Sequence, residues 1–354
     1  MIDETRNASP VPPAGCPNED GAEDHTFLDG LESQGPVGLG HKVKWIAAMA
    51  GVFLLFIVVQ VAALPTLRGL SAGFHAIREA ETYALETGEA PSEAEIARLQ
   101  EEGLQSSLDS SSVEGQMVEA SAQLVVLGVM YLMWHRVRKR GFVPPRAPGF
   151  SKRTVYRIFA GLAIAGMGFQ FTCSTLLTLI VPFFEGAFAE YDALMQPAVG
   201  DAAYVEFISI VILAPVLEEM CCRGVMLEFG LRALRPWSSR TGACGVDVPS
   251  KAFWLANFLQ ASAFAVLHLN VIQGSYALVL GMVFGYVYWR TGKLRYPIAL
   301  HAAVNASSYL INVPASMLPP RLSILAIGVL GIALLALAWR LLKSILATQP
   351  SRGV

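Results

Sequence analysis

From about residue 44 onward the chain is a succession of long apolar runs separated by short polar stretches. Eight runs stand out, at about 44–64, 116–134, 158–184, 204–229, 252–271, 274–290, 296–314 and 322–342. Each approaches or exceeds the ~20 residues an α-helix needs to cross a ~30 Å hydrocarbon layer. Inside lipid every backbone polar group must be satisfied internally, which favours helices. The pattern predicts an all-α polytopic membrane protein of about eight transmembrane helices. Two N-terminal spans with their loops would fill 43–157, a core would fill 158–345, and 346–354 would be a cytoplasmic tail.

Residues 1–42, rich in Pro, Gly, Asp and Glu without sustained periodicity, read as a disordered cytoplasmic tail that cannot bury enough apolar surface to offset chain entropy. Because the first run begins so late, it suits a retained signal anchor better than a cleaved signal peptide, although Val61 to Ala63 loosely resembles a cleavage site. Between the first two runs, Ser92 and Glu95 form a capping-box pattern ahead of Ile96, Leu99 and Leu104, which predicts a short amphipathic helix.

Composition agrees: 54% of the 354 residues are hydrophobic and only 15% charged, which excludes an ordinary soluble enzyme. Charge distribution then sets the orientation. The stretch 135–157 carries Arg136, Arg138, Lys139, Arg140, Arg146, Lys152, Arg153 and Arg157 and no acid, whereas 66–115 carries ten acids and three arginines. The positive-inside rule makes the first cytoplasmic and the second external. Eight spans counted from that anchor put 230–251, 290–295 and both termini in the cytoplasm, in a plasma-membrane protein. The basic stretch could also contact anionic headgroups, at ~1 kcal/mol per residue near the surface. The partners expected are membrane lipids and a peptide or membrane-protein substrate, with no nucleic acid. Of the five cysteines, Cys16, Cys173, Cys221, Cys222 and Cys244, none forms a CxxC pair, and they read as small apolar fillers.

The chemistry is concentrated in the later spans. An ionisable group at the bilayer centre costs ~2.5 to 3.5 kcal/mol by insertion scales and marks a functional site by default. The fourth run carries Glu218, Glu219 and Arg223 within six residues. Glu219 and Arg223 stand one turn apart, where side chains meet, so an ion pair would neutralise one carboxylate and leave Glu218 available as a general base. Taken alone, the pair could equally line the wet end of a span. The fifth run places Phe264 and His268 one turn apart, and the seventh does the same with His301 and Asn305. Singly, each suits interhelical hydrogen bonding. Together they favour one shared pocket, since polar groups in lipid need partners or a cavity. A carboxylate, two imidazoles and an amide are parts that can activate water and hold an oxyanion.

Glu218-Glu219-x-x-x-Arg223, Phe264-x-x-x-His268 and His301-x-x-x-Asn305, in this order on successive helices, resemble the CPBP family of intramembrane proteases. That family includes type II CAAX prenyl endopeptidases and bacterial relatives linked to bacteriocin processing and self-immunity. The resemblance covers about 200–315. It implies that Glu218 and His268 activate the attacking water, that His301 and Asn305 hold the oxyanion, and that Glu219 and Arg223, with Phe264, support them. The favoured reading of these residues needs no cofactor. Two alternatives stay open at this point. Glu218, His268 and His301 match the His₂Glu ligand set of catalytic zinc, with Glu219 as a separate base, although no HExxH is present. The same residues could also be interhelical glue in a non-enzymatic scaffold, or line an ion or proton pathway.

One expectation conflicts with the rest. Along straight helices rising ~1.5 Å per residue, Glu218 falls mid-membrane, His301 near the cytoplasmic face and His268 near the outer face. A shared pocket then requires irregular helices, with an irregular start to the seventh after Tyr296-Pro297 as one route.

Overall fold

The computed structural model describes residues 38–139, 150–194, 202–234, 251–311 and 319–347. The expectations for residues 1–37 of the tail, for Cys16 and Cys244, for Arg140 and Arg146, and for residues 235–250 and 348–354 lie outside these residues. The described chain is helical, with no strand. We number its helices α1 (Leu39–Thr87), α2 (Glu93–Leu108), α3 (Val113–Lys139), α4 (Lys152–Ile180), α5 (Glu185–Leu194), α7 (Lys251–Leu267), α8 (Val271–Thr291), α9 (Arg295–Leu310) and α10 (Pro320–Ala347). The label α6 denotes one helical run whose parts are Ala202–Ile208, Ser209–Leu213, Ala214–Glu219, Met220–Met226 and Leu227–Leu234.

A helix stands at each of the eight predicted runs. Five are long and apolar enough to cross a membrane: Leu39–Thr87, Val113–Arg138, Lys152–Phe183, Val271–Thr291 and Arg321–Leu346. Of the other three, α6 is broken, and α7 and α9, at 17 and 16 residues, are shorter than a ~30 Å core calls for.

The acidic segment after the first run differs from the loop that the sequence suggested. Helix α1 continues through Pro65 to Thr87, and its 49 residues span roughly 73 Å, more than twice the hydrocarbon thickness. Helix α2 packs back on this extension. Its predicted cap is present, with the Glu95 amide donating to the Ser92 hydroxyl at 3.2 Å, and Leu99 is buried. Glu114, at the start of α3, accepts from Ser71 at 2.5 Å and Ser106 at 2.7 Å, joining all three helices. The segment is therefore ordered by side-chain bonds that its hydropathy does not reveal.

Helix α4 packs along α10 and α9. A Cβ on Gly168 would stand 2.9 Å from the carbonyl oxygen of Gly331, so the α4 and α10 backbones approach through paired small residues, as is common between membrane helices. At the far end of α6 a second polar group ties down α1. The Arg232 guanidinium donates to Glu228 at 2.7 Å and lies over the Trp45 ring, while His41 donates to the Arg232 carbonyl at 2.9 Å.

Two wide turns interrupt α6. Pro215 has no N–H to return to the preceding turn, and just before it the Ala214 amide reaches five residues back to the Ser209 carbonyl, a π-type bond. The second π turn, Met220–Met226, ends with the Leu227 amide on the Cys222 carbonyl. Such turns are frequent at functional sites, and this one carries Arg223. Pro297 sits in the first turn of α9, where an amide hydrogen is dispensable, so it starts that helix rather than bending it.

Helices α7 and α8 form a close pair. Gly285 on α8 faces Asn257 on α7, and a Cβ there would fall 1.8 Å from the Asn257 side-chain oxygen. Gly285→Ala is expected to destabilise the folded protein by about 1 to 3 kcal/mol through overpacking, read as a lowered thermal midpoint in detergent. Adding Asn257→Ala should recover part of the loss; an unchanged midpoint in Gly285→Ala would contradict this packing.

Candidate active site

Arg223 is the centre of the arrangement. It is fully buried, and a buried guanidinium persists only with its charge compensated and its donors used. Nη1 donates to Glu219 Oε1 at 2.8 Å, with both side chains wholly buried, as the one-turn spacing predicts. Nη2 donates to the Gly281 carbonyl of α8 at 3.1 Å. Phe264 and Phe284 contribute their rings, 4.7 Å and 5.1 Å from the guanidinium carbon. Cation–π contacts of this kind are worth about 2 kcal/mol or more once water is excluded.

Glu219 has a further partner that its own helix does not supply. His301 of α9 donates from Nδ1 to the same Oε1 at 3.0 Å, leaving Glu219 Oε2 buried without a protein partner. With Nδ1 so held, Nε2 of His301 faces Glu218 Oε2 at 3.7 Å. That is beyond a direct hydrogen bond but within ion-pair reach, and one water could bridge it. The Glu218 side chain keeps 23% of its surface exposed, while Glu219 keeps none. The two neighbouring carboxylates are thus in different situations: Glu219 is bound to two cationic or donor groups, and Glu218 is accessible with an imidazole beside it.

His301 stacks on Phe284 at 4.8 Å and stands nearly perpendicular to Phe264 at 5.7 Å. His268 meets the same Phe264 ring edge-on at 4.9 Å, so this phenylalanine is the common neighbour of the two histidines. His268 Nδ1 donates to the Phe264 carbonyl at 2.9 Å. In a neutral ring this fixes the proton on Nδ1 and leaves Nε2 a free acceptor. The sharp α7–α8 turn helps to hold this pose: Leu269 adopts a left-handed φ of 51°, unusual for a leucine and costly by about 1 to 3 kcal/mol. Asn270 then caps α8 by accepting from the Gln273 amide at 3.0 Å.

Asn305, one turn beyond His301, donates from Nδ2 to the Ile210 carbonyl at 2.8 Å. That carbonyl lies in the first π turn of α6. The amide nitrogen carries two hydrogens, so one donor stays unspent. Glu218, Glu219, Arg223, Phe264 and His301 are therefore linked by pairwise contacts into one cluster, His268 joins them through Phe264, and Asn305 flanks them on α9. The conflict raised by straight-helix counting is resolved by short helices and an interrupted α6, since α7 and α9 need not fill the bilayer thickness.

Two residues escaped the sequence reading. Asn257 and Gln260 of α7 are fully buried. They precede Phe264 and His268 by seven and eight residues, on or near the same helical stripe, and that spacing is the signal that could have found them. As for a metal, no three His, Cys, Asp or Glu side chains converge as a ligand set among the described residues. Glu219, moreover, is engaged by Arg223 and His301. Glu218, His268 and His301 as placed here do not fit a three-ligand zinc site.

Removing one member of a buried ion pair leaves the other charge uncompensated, at a cost of about 3 to 5 kcal/mol. Arg223→Met should accordingly lower stability far more than the double variant Arg223→Met/Glu219→Gln, measured by SDS-induced unfolding in mixed micelles. Equal losses would mean that the pair is uncoupled.

Residues 201–307 match the family model described as "Type II CAAX prenyl endopeptidase Rce1-like". The chain matches no curated protein and no solved structure. The matched segment runs from the start of α6 past Asn305 and contains every side chain of the cluster described above. Residues 201–307 of this multi-pass membrane protein are therefore similar to the Rce1-like type II CAAX prenyl endopeptidases, which supports a peptidase of the CPBP type.

Proposed function

We propose that the protein is an intramembrane endopeptidase that hydrolyses a peptide bond with glutamate- and histidine-activated water. The observation that carries this reading is the asymmetry of the two glutamates, with Glu219 tied to Arg223 and His301 and Glu218 accessible beside His301. In the proposed mechanism Glu218, assisted by the free Nε2 of His268, takes a proton from a water whose oxygen attacks the scissile carbonyl carbon. The carbonyl oxygen gains charge and is held by Asn305 through its unspent N–H and by His301, which donates through Nε2 when its imidazole carries both protons, the other going to Glu219. The tetrahedral species collapses, the C–N bond breaks, and Glu218 returns its proton to the leaving amine. Glu219, Arg223 and Phe264 act as supports.

In the same reading the chain crosses the plasma membrane eight times with both termini cytoplasmic. The working unit is 158–345, and 43–157 is an N-terminal pair of spans with an acidic external segment. The substrate is a peptide or membrane protein; prenylation of it is not implied by any residue of the site. A zinc-dependent version of the hydrolysis is weakened by the ligand geometry. A scaffold or ion pathway is weakened by an accessible carboxylate left outside the buried network.

The test is cleavage of a quenched peptide library by the purified detergent-solubilised protein, with and without a zinc chelator. Glu218→Gln should reduce cleavage by about 10²-fold or more while leaving the thermal midpoint near wild type. His301→Ala or Asn305→Ala should cost about 10²- to 10³-fold. The chelator should have no effect. Full activity in Glu218→Gln would sink the mechanism, and chelator-sensitive cleavage would transfer the role to a metal.

A further inference from the structure

Behind Arg223 the buried network does not stop. The Gly281 carbonyl that receives Arg223 Nη2 also receives Gln260 Nε2, each at 3.1 Å. Gln260 Nε2 gives its second hydrogen to Asn257 Oδ1 at 2.7 Å. Asn257 Nδ2 in turn donates to the Met282 carbonyl at 2.9 Å. Gly281 and Met282 are consecutive in α8, so the two α7 amides grip one short piece of its backbone, and Gly285 leaves room for Asn257. Arg223 Nε has no hydrogen-bond partner within the protein, so the guanidinium is oriented by Glu219, the Gly281 carbonyl and two aromatic rings. The hydrogen bonds run without a break from Asn257 through Gln260, Gly281, Arg223 and Glu219 to His301.

We propose that Gln260, backed by Asn257, is a positioning residue for the site: by holding the Gly281 carbonyl it sets the Arg223 plane, and through Arg223 and Glu219 it sets the orientation of the His301 imidazole. Buried amides of this kind commonly pin helix to helix and nothing more. Here the carbonyl they grip is the one that receives the site's guanidinium. The inference deepens the protease reading and rests on it for its catalytic consequence, but its structural claim can be read without any activity.

The experiment uses the full-length protein labelled with ¹⁵N-histidine in detergent micelles, comparing wild type, Gln260→Leu and the closer isostere Gln260→Met. Six histidines are present, and the His301 signal is identified by its loss in His301→Gln. Both Gln260 variants are expected to move the His301 Nδ1 proton resonance. On a cleaved peptide they should lower kcat about 10- to 100-fold with KM little changed. In an Arg223→Lys background the same substitution should add less than about twofold, because residues acting through one network are not additive. An unmoved His301 resonance in a folded Gln260 variant overturns the proposal, as does a fully additive loss in the Arg223→Lys background. Unfolding of both variants would assign Gln260 to the fold alone and also overturn it. If wild type cleaves no peptide, the protease reading fails while the resonance still decides the positioning claim.

Discussion

The burial of one guanidinium constrains most of what surrounds it. Removing Arg223 from solvent is affordable only if a counter-charge, acceptors and polarisable faces are all in place, and each requirement recruits a different helix. Glu219 comes from α6 itself, the Gly281 carbonyl from α8, and the two rings from Phe264 of α7 and Phe284 of α8. The close approach of α8 to Arg223 also explains why residue 281 is a glycine, since a Cβ there would lie 2.9 Å from Ala261 Cβ and 3.2 Å from Arg223 Nη2. Three helices are thereby held in register around a point that lipid alone would not organise.

That register decides what the two carboxylates can do. Glu219 spends one oxygen on two donors, which draws His301 of α9 to α6 and fixes the histidine by its Nδ1. The opposite nitrogen is consequently presented to Glu218. In the proposed mechanism this places the oxyanion-holding nitrogen of His301 beside the carboxylate that accepts and returns the proton. A residue at 219 without an acceptor oxygen would remove the anchor from His301, so the carboxylate that does no chemistry in the proposed mechanism is as constrained as the one that does.

Contacts along a single helix were legible in the sequence, and contacts between helices were not. The i, i+4 spacing anticipated the Glu219–Arg223 pair and the packing of Phe264 on His268, and apolar runs marked eight helices. The Ser92 cap was legible for the same reason, because capping is local chemistry. By contrast, the reach of His301 to Glu219 depends on how α6 and α9 cross, and the grip of Gln260 on Gly281 depends on how near α7 lies to α8. Neither distance is encoded in periodicity. The π turns of α6 follow from Pro215 and from packing, including Trp134 against Gly224, which the hydropathy pattern averages away. Straight-helix counting failed because it assumed that each apolar run spans the full bilayer.

The distribution of satisfied and unspent polar groups bears on the choice between the proposed hydrolytic site and interhelical glue. Residues that serve only to join membrane helices gain most when every donor and acceptor is matched, since an unmatched group in a low-dielectric interior costs about 1 to 3 kcal/mol. The Glu228–Arg232 pair at the end of α6 approaches that condition, packed on Trp45 and reinforced by His41. The cluster around Arg223 combines both kinds of group. Its inner members are joined to one another, although Glu219 Oε2, Arg223 Nε and Gln260 Oε1 have no hydrogen-bond partner, while Glu218, the Nε2 atoms of His268 and His301, and one hydrogen of Asn305 remain without a close hydrogen-bonding protein partner in the described structure. Those unspent groups are the ones the proposed hydrolytic step requires, and they come from α6, the end of α7 and α9. What sets the four outer groups apart is therefore accessibility and not matching alone: the Glu218 side chain keeps 23% of its surface exposed where Glu219 keeps none, and a joint of purely mechanical purpose has no use for an accessible carboxylate beside an imidazole.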